Sequence, residues 1–395
     1  MESIRNIYKI GYGPSSSHTI GPSKACLYVK QKYLNATSFE VILFNSLSLT
    51  GLGHDTLTTI LRIIPNCQIT TKVDKSKHPN YLIIKSFLND QLLGLDEFES
   101  VGGGKLKING VIESSGQETY PHQTFTEIKN YCLENHLDLY EYIKKFESDL
   151  TFIEPIFQTM LNSVKNGLSK EGFLPGKLLV QRRAKEMYHT FMKNDSRRGL
   201  ISAYAFSASE ENAAGGLIVT APTCGACGVI PSLVYHAYHN KKLKKSLILK
   251  SLLVAGLIGK IIEVNASISG AVAGCQAEIG SATAMASAML CYIDNDSIEV
   301  TECASEIAIE HCLGLTCDPI MGYVQIPCIE RNVFASLRAI DCANIAKGIV
   351  GQRKISLDMI IKTMYQTGLD MMSKYKETSK GGLAKAYLEK IKNDK

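Results

Sequence analysis

Ser114 to Gln123 reads SSGQETYPHQ, and this stretch divides the chain. It is polar and carries Pro121, so it reads as a linker. Before it, Phe39 to Phe44, Gln68 to Val73, Tyr81 to Phe87 and Lys105 to Ile108 are rich in Val, Ile, Phe and Thr and read as strands. Gly21 to Tyr33 and Asp55 to Ile64 carry helical apolar spacing between them. Gly102-Gly103-Gly104 marks a tight passage before the last strand. After the linker β signals nearly vanish. Helical patterns follow, among them Ile153 to Lys165, Lys177 to Lys193, Lys245 to Glu263, Ala271 to Leu290, Val333 to Ile349 and Ser356 to Tyr375. The expected class is α+β: a small N-terminal α+β domain (1–113), the linker (114–123) and a larger all-α domain (124–395).

The composition agrees with a folded, multi-domain chain. Of 395 residues, 45% are hydrophobic and 21% charged, which excludes a disordered protein. The +5 balance comes from 43 basic and 38 acidic residues and is spread out, so nucleic-acid binding is not indicated. The start, MESIRNIYKIGYG, has charges at Glu2, Arg5 and Lys9 and no apolar run, so a secretory signal is not expected. Leu247 to Ile262 is interrupted by Lys250 and Lys260, and Val264 to Ile293 carries Asn265, Gln276 and Glu278. Both read as buried core helices rather than membrane spans. A cytoplasmic location follows, where the 12 cysteines stay reduced as core fillers, metal ligands or catalysts.

Four constellations could carry chemistry. In Gly13-Pro14-Ser15-Ser16-Ser17-His18-Thr19, followed by Gly21-Pro22-Ser23-Lys24, hydroxyls and free N–H groups gather at a helix start. That is an anion pocket with a titratable imidazole, although a serine-rich N-capped turn gives the same string. In Thr50-Gly51-Leu52-Gly53-His54-Asp55, two glycines permit close backbone approach and His54 precedes a helix expected to be capped by Asp55. Cys224-Gly225-Ala226-Cys227 fits a redox pair, half a zinc site, or two thiols packed in a glycine-rich loop. His236 and His239 form an H-x-x-H downstream. Cys275, Cys317 and Cys328 lie among Gly, Asp-Pro and Pro between helices, the setting of ligands rather than core fillers. Three thiolates without a fourth suit an iron–sulfur cluster with one open iron, a Lewis acid. Arg331, just beyond, offers a fork for a carboxylate. Cys26, Cys67, Cys132, Cys291, Cys303, Cys312 and Cys342 lie in regular patterns and read as small buried hydrophobes.

Taken together, these strings resemble the iron–sulfur-dependent L-serine dehydratases, in a single-chain form with fused β and α domains. GPSSSHTIGPSKA, TGLGHDT and SVGGGKLKI resemble blocks of that family's β domain. NGLSKEGFLPGKLLVQRRA, ENAAGGLIVTAPTCGACGVIP, ISGAVAGCQAEIGSATAMASAML and GLTCDPIMGYVQIPCIERN resemble its α domain, in order. The resemblance implies a [4Fe–4S] cluster on Cys275, Cys317 and Cys328, no pyridoxal phosphate, a homodimer, and conversion of L-serine to pyruvate and ammonia. Removal of the α-proton needs a base, and His54 is expected to serve, with His18 as second choice, because both lie in the anion-binding β domain expected to close over the cluster. Substrate binding is expected from Ser15, Ser16, Ser17, Thr19, Lys24, Arg331 and Asn332. A related iron–sulfur cysteine desulfidase, or a non-enzymatic zinc or redox protein built on Cys224 and Cys227, is the alternative. Two departures stand out. The family's P-T-N-G-A-A-G loop has Cys224 and Cys227 here in place of Asn and Ala. No cysteine follows Cys342, so the C-terminal cysteine cap on the open iron found in some members is not expected.

Overall fold

In a computed structural model the described residues are 1–51, 53–112, 118–194 and 196–393. The expected linker lies partly outside them, as does Leu52.

The first residues belong to the far half of the chain. Ile4, Ile7 and Tyr8 are buried in the helical core, and the Tyr8 hydroxyl donates to the Leu252 carbonyl at 2.8 Å. Strand β1 (Lys9–Tyr12) then pairs antiparallel with β8 (Leu217–Thr220). Next come α1 (Gly21–Lys32), β2 (Ser38–Phe44), α2 (Asn45–Thr50), α3 (Thr56–Ile63), β3 (Cys67–Lys72), β4 (Tyr81–Leu88), β5 (Gln91–Gly102), β6 (Lys105–Ile108) and β7 (Val111–Ile112). The six later strands form one sheet, ordered β3-β2-β4-β5-β6-β7, with only β2 and β3 parallel. Ala25 and Val29 of α1 and Ile60 of α3 pack with Val41, Leu43, Leu82, Ile84 and Phe98 from the strands.

Strand β5 has no strand signature in the sequence. Its inward face carries Asp96 and Ser100 on either side of Phe98, so the period-2 pattern is polar where an apolar residue is expected. Asp96 is tolerated because Lys32 and Asn109 donate to its carboxylate at 2.6 and 2.7 Å.

The helical half runs α4 (Phe125–Glu134), α5 (Leu139–Phe146), α6 (Ile153–Leu168), α7 (Ala184–Lys193), α8 (Arg197–Ala213), α9 (Val229–Tyr235), α10 (Lys245–Asn265), α11 (Gly270–Ala273), α12 (Ser281–Ile293), α13 (Ile298–Glu310), α14 (Cys328–Ile349), α15 (Leu357–Asp370) and α16 (Gly382–Asn393). Its centre is α12, whose Ala282, Ala284, Ala286 and Ala288 are all buried. It packs among α10, α13 and α14. Close approach is the reason for small residues: a methyl added at Gly259 of α10 would stand 2.7 Å from the Met285 sulfur of α12. Lys260, inside the apolar run of α10, is buried and paired with Glu263 at 2.7 Å and Glu2 at 3.2 Å. Among the described residues no helix is long and apolar enough to cross a membrane.

Three expected helices are shorter than their patterns, and of Ser356 to Tyr375 only Leu357–Asp370 is α-helical. Of Lys177 to Lys193, only Ala184–Lys193 is helical. The preceding residues turn back on themselves, with Gly176 and Leu179 at positive φ, Phe173 bridging Gln181 and the Arg183 amide donating to Glu210. Ala271 to Leu290 breaks at Gly274, whose φ of 75° ends α11 and turns Cys275 inward.

Candidate active site around His54, Glu377 and three thiols

Winding of the chain begins at Ser15, which occupies the N-cap; Ser16–Ile20 forms one wide turn continuous with α1. Ser15, Ser16, Ser17, His18 and Thr19 are all buried. The His18 ring is held on both sides. Its Nδ1 is 2.9 Å from Ser17 Oγ and 3.3 Å from Ser15 Oγ; its Nε2 is 2.9 Å from Thr50 Oγ1 and 3.3 Å from Ser46 Oγ. Thr50 Oγ1 donates its own proton to the Ser46 carbonyl at 2.8 Å, so it accepts from His18. This network assigns the neutral ring its proton on Nε2 and leaves Nδ1 a bare acceptor. Burial, aided by His54, pushes the His18 pKa down to about 4, so the ring is neutral at pH 7.

His54 stacks on His18 with centroids 4.2 Å apart. Its Nδ1 lies 3.1 Å from the Thr50 carbonyl, which can only accept, so Nε2 is bare in the neutral ring. The expected cap at Asp55 is not made. Asp55 sits at the N-cap in the left-handed region (φ 58°) with no side-chain cap bond.

Both bare nitrogens face a carboxylate that the sequence reading missed. Glu377 Oε1 is 3.5 Å from His18 Nδ1 and 3.5 Å from His54 Nε2. Glu377 follows the helix expected to end at Tyr375, in the polar string KETSKGG, which carries no local signal of a buried site. Its backbone is pinned at φ 56°. The Glu377 amide donates to the Cys317 carbonyl at 2.6 Å, the Cys317 amide donates to the Tyr375 carbonyl at 2.7 Å, and Ser46 Oγ donates to the Glu377 carbonyl at 2.7 Å. A residue far down the chain thus ties the His18 and His54 region to the thiol loop.

Cys275, Cys317 and Cys328 converge around Arg331. Each thiol is an electrostatic neighbour of the other two and of the Arg331 guanidinium. Burial pushes Cys275 up to about 12, with Arg331 pulling the other way, and raises Cys317 and Cys328 well above the usual thiol range. Thiols this buried are poor nucleophiles in water, yet their thiolate forms suit a cationic metal group. Glu278 lies in the same pocket, pushed up to about 8 by burial and by the nearby Glu377. A methyl at Gly270 would come 2.7 Å from Glu278 Oε2 and 3.1 Å from Cys317 Sγ, so the hollow has room because this residue is glycine. The donor set and the hollow fit an iron–sulfur cluster.

The remaining expected residues separate. Arg331 joins the thiols and also donates to the Thr316 carbonyl. Asn332 does not face a ligand: its amide accepts from the Gly228 N–H at 2.8 Å and donates to the Gly225 and Cys328 carbonyls at 2.7 and 2.9 Å. It staples the Cys224–Cys227 loop to α14. Thr19 Oγ1 donates to the Ser15 carbonyl, and Lys24 is half-buried on the first turn of α1. Cys224 and Cys227 are fully buried, and burial raises both thiols. Among the described residues no third metal-ligating group joins them; the only close single-ion set is His18, His54 and Glu377. A cavity of about 270 Å³, bounded by Pro14, Gly53, Asp55, Gly176 and Tyr323, opens beside both chain neighbours of His54.

Comparison with known sequences agrees with this geometry. The serine dehydratase beta chain profile matches residues 3–71 and the serine dehydratase alpha chain profile matches residues 89–384. The chain belongs to the serine dehydratase family. It is 38% identical to an L-serine dehydratase of Helicobacter pylori, over 97% of this chain and 98% of the relative. It is 36% identical to L-serine dehydratase 2 of Escherichia coli over the same shares, and 35% identical to an L-serine dehydratase of Mycobacterium tuberculosis over 97% of each. The E. coli alignment runs to 450 positions, more than the 395 residues here, so that dehydratase carries insertions this one lacks.

Proposed function

We propose that this serine dehydratase converts L-serine to pyruvate and ammonia, with a [4Fe–4S] cluster on Cys275, Cys317 and Cys328. The observation that carries the reading is the meeting of these three thiols, Cys275 and Cys317 buried and Cys328 half-buried, with His54 across Glu377. When bound, the cluster supplies a Lewis-acidic iron for the oxygens of the substrate.

The chain's own residues do the rest. The Ser15–Ser17 hydroxyls, with the free N–H groups at the start of the α1 winding, suit the substrate carboxylate, aided by Arg331 and Lys24. The bare Nε2 of His54 takes the α-proton, and the Thr50 carbonyl steadies the imidazolium through Nδ1–H. His18, its Nε2–H donated to Thr50 Oγ1 at 2.9 Å, holds His54 by stacking. Burial of the whole group excludes bulk water while the β-hydroxyl leaves. Loss of water gives aminoacrylate, which tautomerises to the imine; hydrolysis returns that water and releases ammonia and pyruvate.

The β-type unit is expected over 1–113 and the α-type unit over 124–395, with residues 1–12 packing on the latter. Twelve reduced cysteines support a cytoplasmic setting. The homodimer rests on family resemblance, and light scattering tests it.

The deciding experiment is anaerobic purification, followed by absorbance, iron and acid-labile sulfide analysis, and a pyruvate assay on L-serine. Iron with sulfide and pyruvate formation are expected. Zinc alone would move the reading to the binding protein. Sulfide release from L-cysteine without pyruvate from L-serine would move it to the desulfidase.

A further inference from the structure

Glu377 Oε1, His54 Nε2 and His18 Nδ1 lie within 4.8 Å of one another, and all three residues are buried. The tautomers assigned above make every one of them an acceptor. The Ser17 and Ser15 hydroxyls can serve His18 Nδ1, but with His54 neutral its Nε2 and Glu377 Oε1 remain two acceptors 3.5 Å apart out of water, which repel unless a cation or a donor sits between them. L-Serine brings such a group, an α-ammonium, whose N–H donors reach Glu377 Oε1 and His18 Nδ1 and leave His54 Nε2 for the α-proton. From this juxtaposition, and resting on the reading of the protein as an L-serine dehydratase, we propose that Glu377 is the α-ammonium receptor, the residue that distinguishes amino acids from hydroxy acids lacking the amine.

The geometry accommodates that placement. An ammonium nitrogen about 2.8 Å from an acceptor makes a good charge-assisted bond. Acceptors spaced at 3.5 Å from the shared carboxylate oxygen leave room for such a nitrogen above their plane. Ser17 Oγ, 2.9 Å from His18 Nδ1, can turn its proton to Ser15 Oγ, 3.3 Å away, and free that nitrogen. Cα then stands about 1.5 Å beyond the bound nitrogen, on the side of His54 Nε2. One pose therefore gives the ammonium to Glu377 and the α-proton to His54. The strained φ of Glu377, held by Cys317 and Ser46, fixes its carboxylate at this point.

The test compares two competitive inhibitors on the cluster-loaded enzyme. Glycine carries the ammonium and carboxylate; 3-hydroxypropanoate carries the carboxylate and hydroxyl but no amine. Glu377→Gln removes the charge and should raise the KM for L-serine and the Ki of glycine about 10²-fold, the usual scale for a lost charged hydrogen bond. The Ki of 3-hydroxypropanoate should stay within about 3-fold, and Glu377→Asp should recover part of the glycine affinity. Equal change in both inhibitors, or in neither, overturns the assignment. A second measurement needs no variant: N,N,N-trimethylglycine, which has no N–H donors, should not compete in the unmodified enzyme. Competition by it as strong as that of glycine also overturns the assignment. Absence of pyruvate formation by the unmodified enzyme would instead refute the parent reading, so the two failures are separable.

Discussion

Gly53→Ala probes the seam between the two halves of the site. A Cβ built on Gly53 would stand 2.4 Å from the Gly322 carbonyl carbon, 2.5 Å from its oxygen and 2.7 Å from the Met321 oxygen. These are backbone atoms of the loop between Cys317 and Cys328, so no side chain can rotate away. Ordinary contact begins near 3.4 Å, so the loop carrying His54 must retreat by about 1 Å. A shift of that size at a reacting group costs about 10²-fold in rate. Overpacking of this kind also costs about 1–3 kcal/mol of stability. The expected result is a kcat for pyruvate formation reduced about 10²-fold, with iron and sulfide content unchanged, because no thiol is touched. Gly348→Ala is the control: it lies in α14, and a Cβ there meets nothing within 4 Å. It should keep full activity and add about 0.5–1 kcal/mol to stability. A Gly53→Ala enzyme with normal kcat would refute the claim that the His54 loop rests on the thiol loop during catalysis.

Three further outcomes are expected. Serine in place of Cys275, Cys317 or Cys328 should each abolish the cluster absorbance, since a hydroxyl is a poor iron ligand; full loading in all three would remove the assignment. His54→Ala should lower kcat by about 10²–10⁴-fold with the spectrum intact, whereas His18→Ala should act more on KM; a normal kcat in His54→Ala would place the base elsewhere. The folded pKa of His18, near 4, lies below its unfolded value of about 6.5, so the unfolded chain binds more protons between these pH values. The resulting stability is present above pH 6.5 and is lost as pH falls toward 4, by about 3 kcal/mol, a loss that denaturant titrations on His18→Ala should not show.

The two-part architecture was legible because its cues are local. The polar SSGQETYPHQ string, the β-branched runs before it and the helical spacing after it each act over a few residues. The thiol set was legible for the same reason, since Pro and Gly around Cys275, Cys317 and Cys328 mark loops. What stayed hidden depends on distant partners. Asp96 makes β5 unreadable because the Lys32 and Asn109 that satisfy it are far along the chain. Glu377 looks like one more solvated acid until the fold places it between two imidazoles. Asn332 shows the converse: its place beside Arg331 suggested a ligand contact, but its amide is spent on the backbone of a loop some hundred residues earlier.

The pairing of Cys317 with Glu377 also bears on the order of assembly in the cell. All three thiols leave the ribosome before the segment that closes over them, with Glu377 made 60 residues after Cys317. Counted from Cys328, the last of the three, the 49 residues to Glu377 take about 2–10 s at about 5–20 residues per second, and in that time the hollow exists without its cover. On the proposed cluster reading, iron and sulfide delivery has an open door during that interval. Once Tyr375 and Glu377 bond to Cys317, and Ser46 to Glu377, the same passage is latched from both sides, and a cluster lost later must be replaced through a structure that has to loosen first.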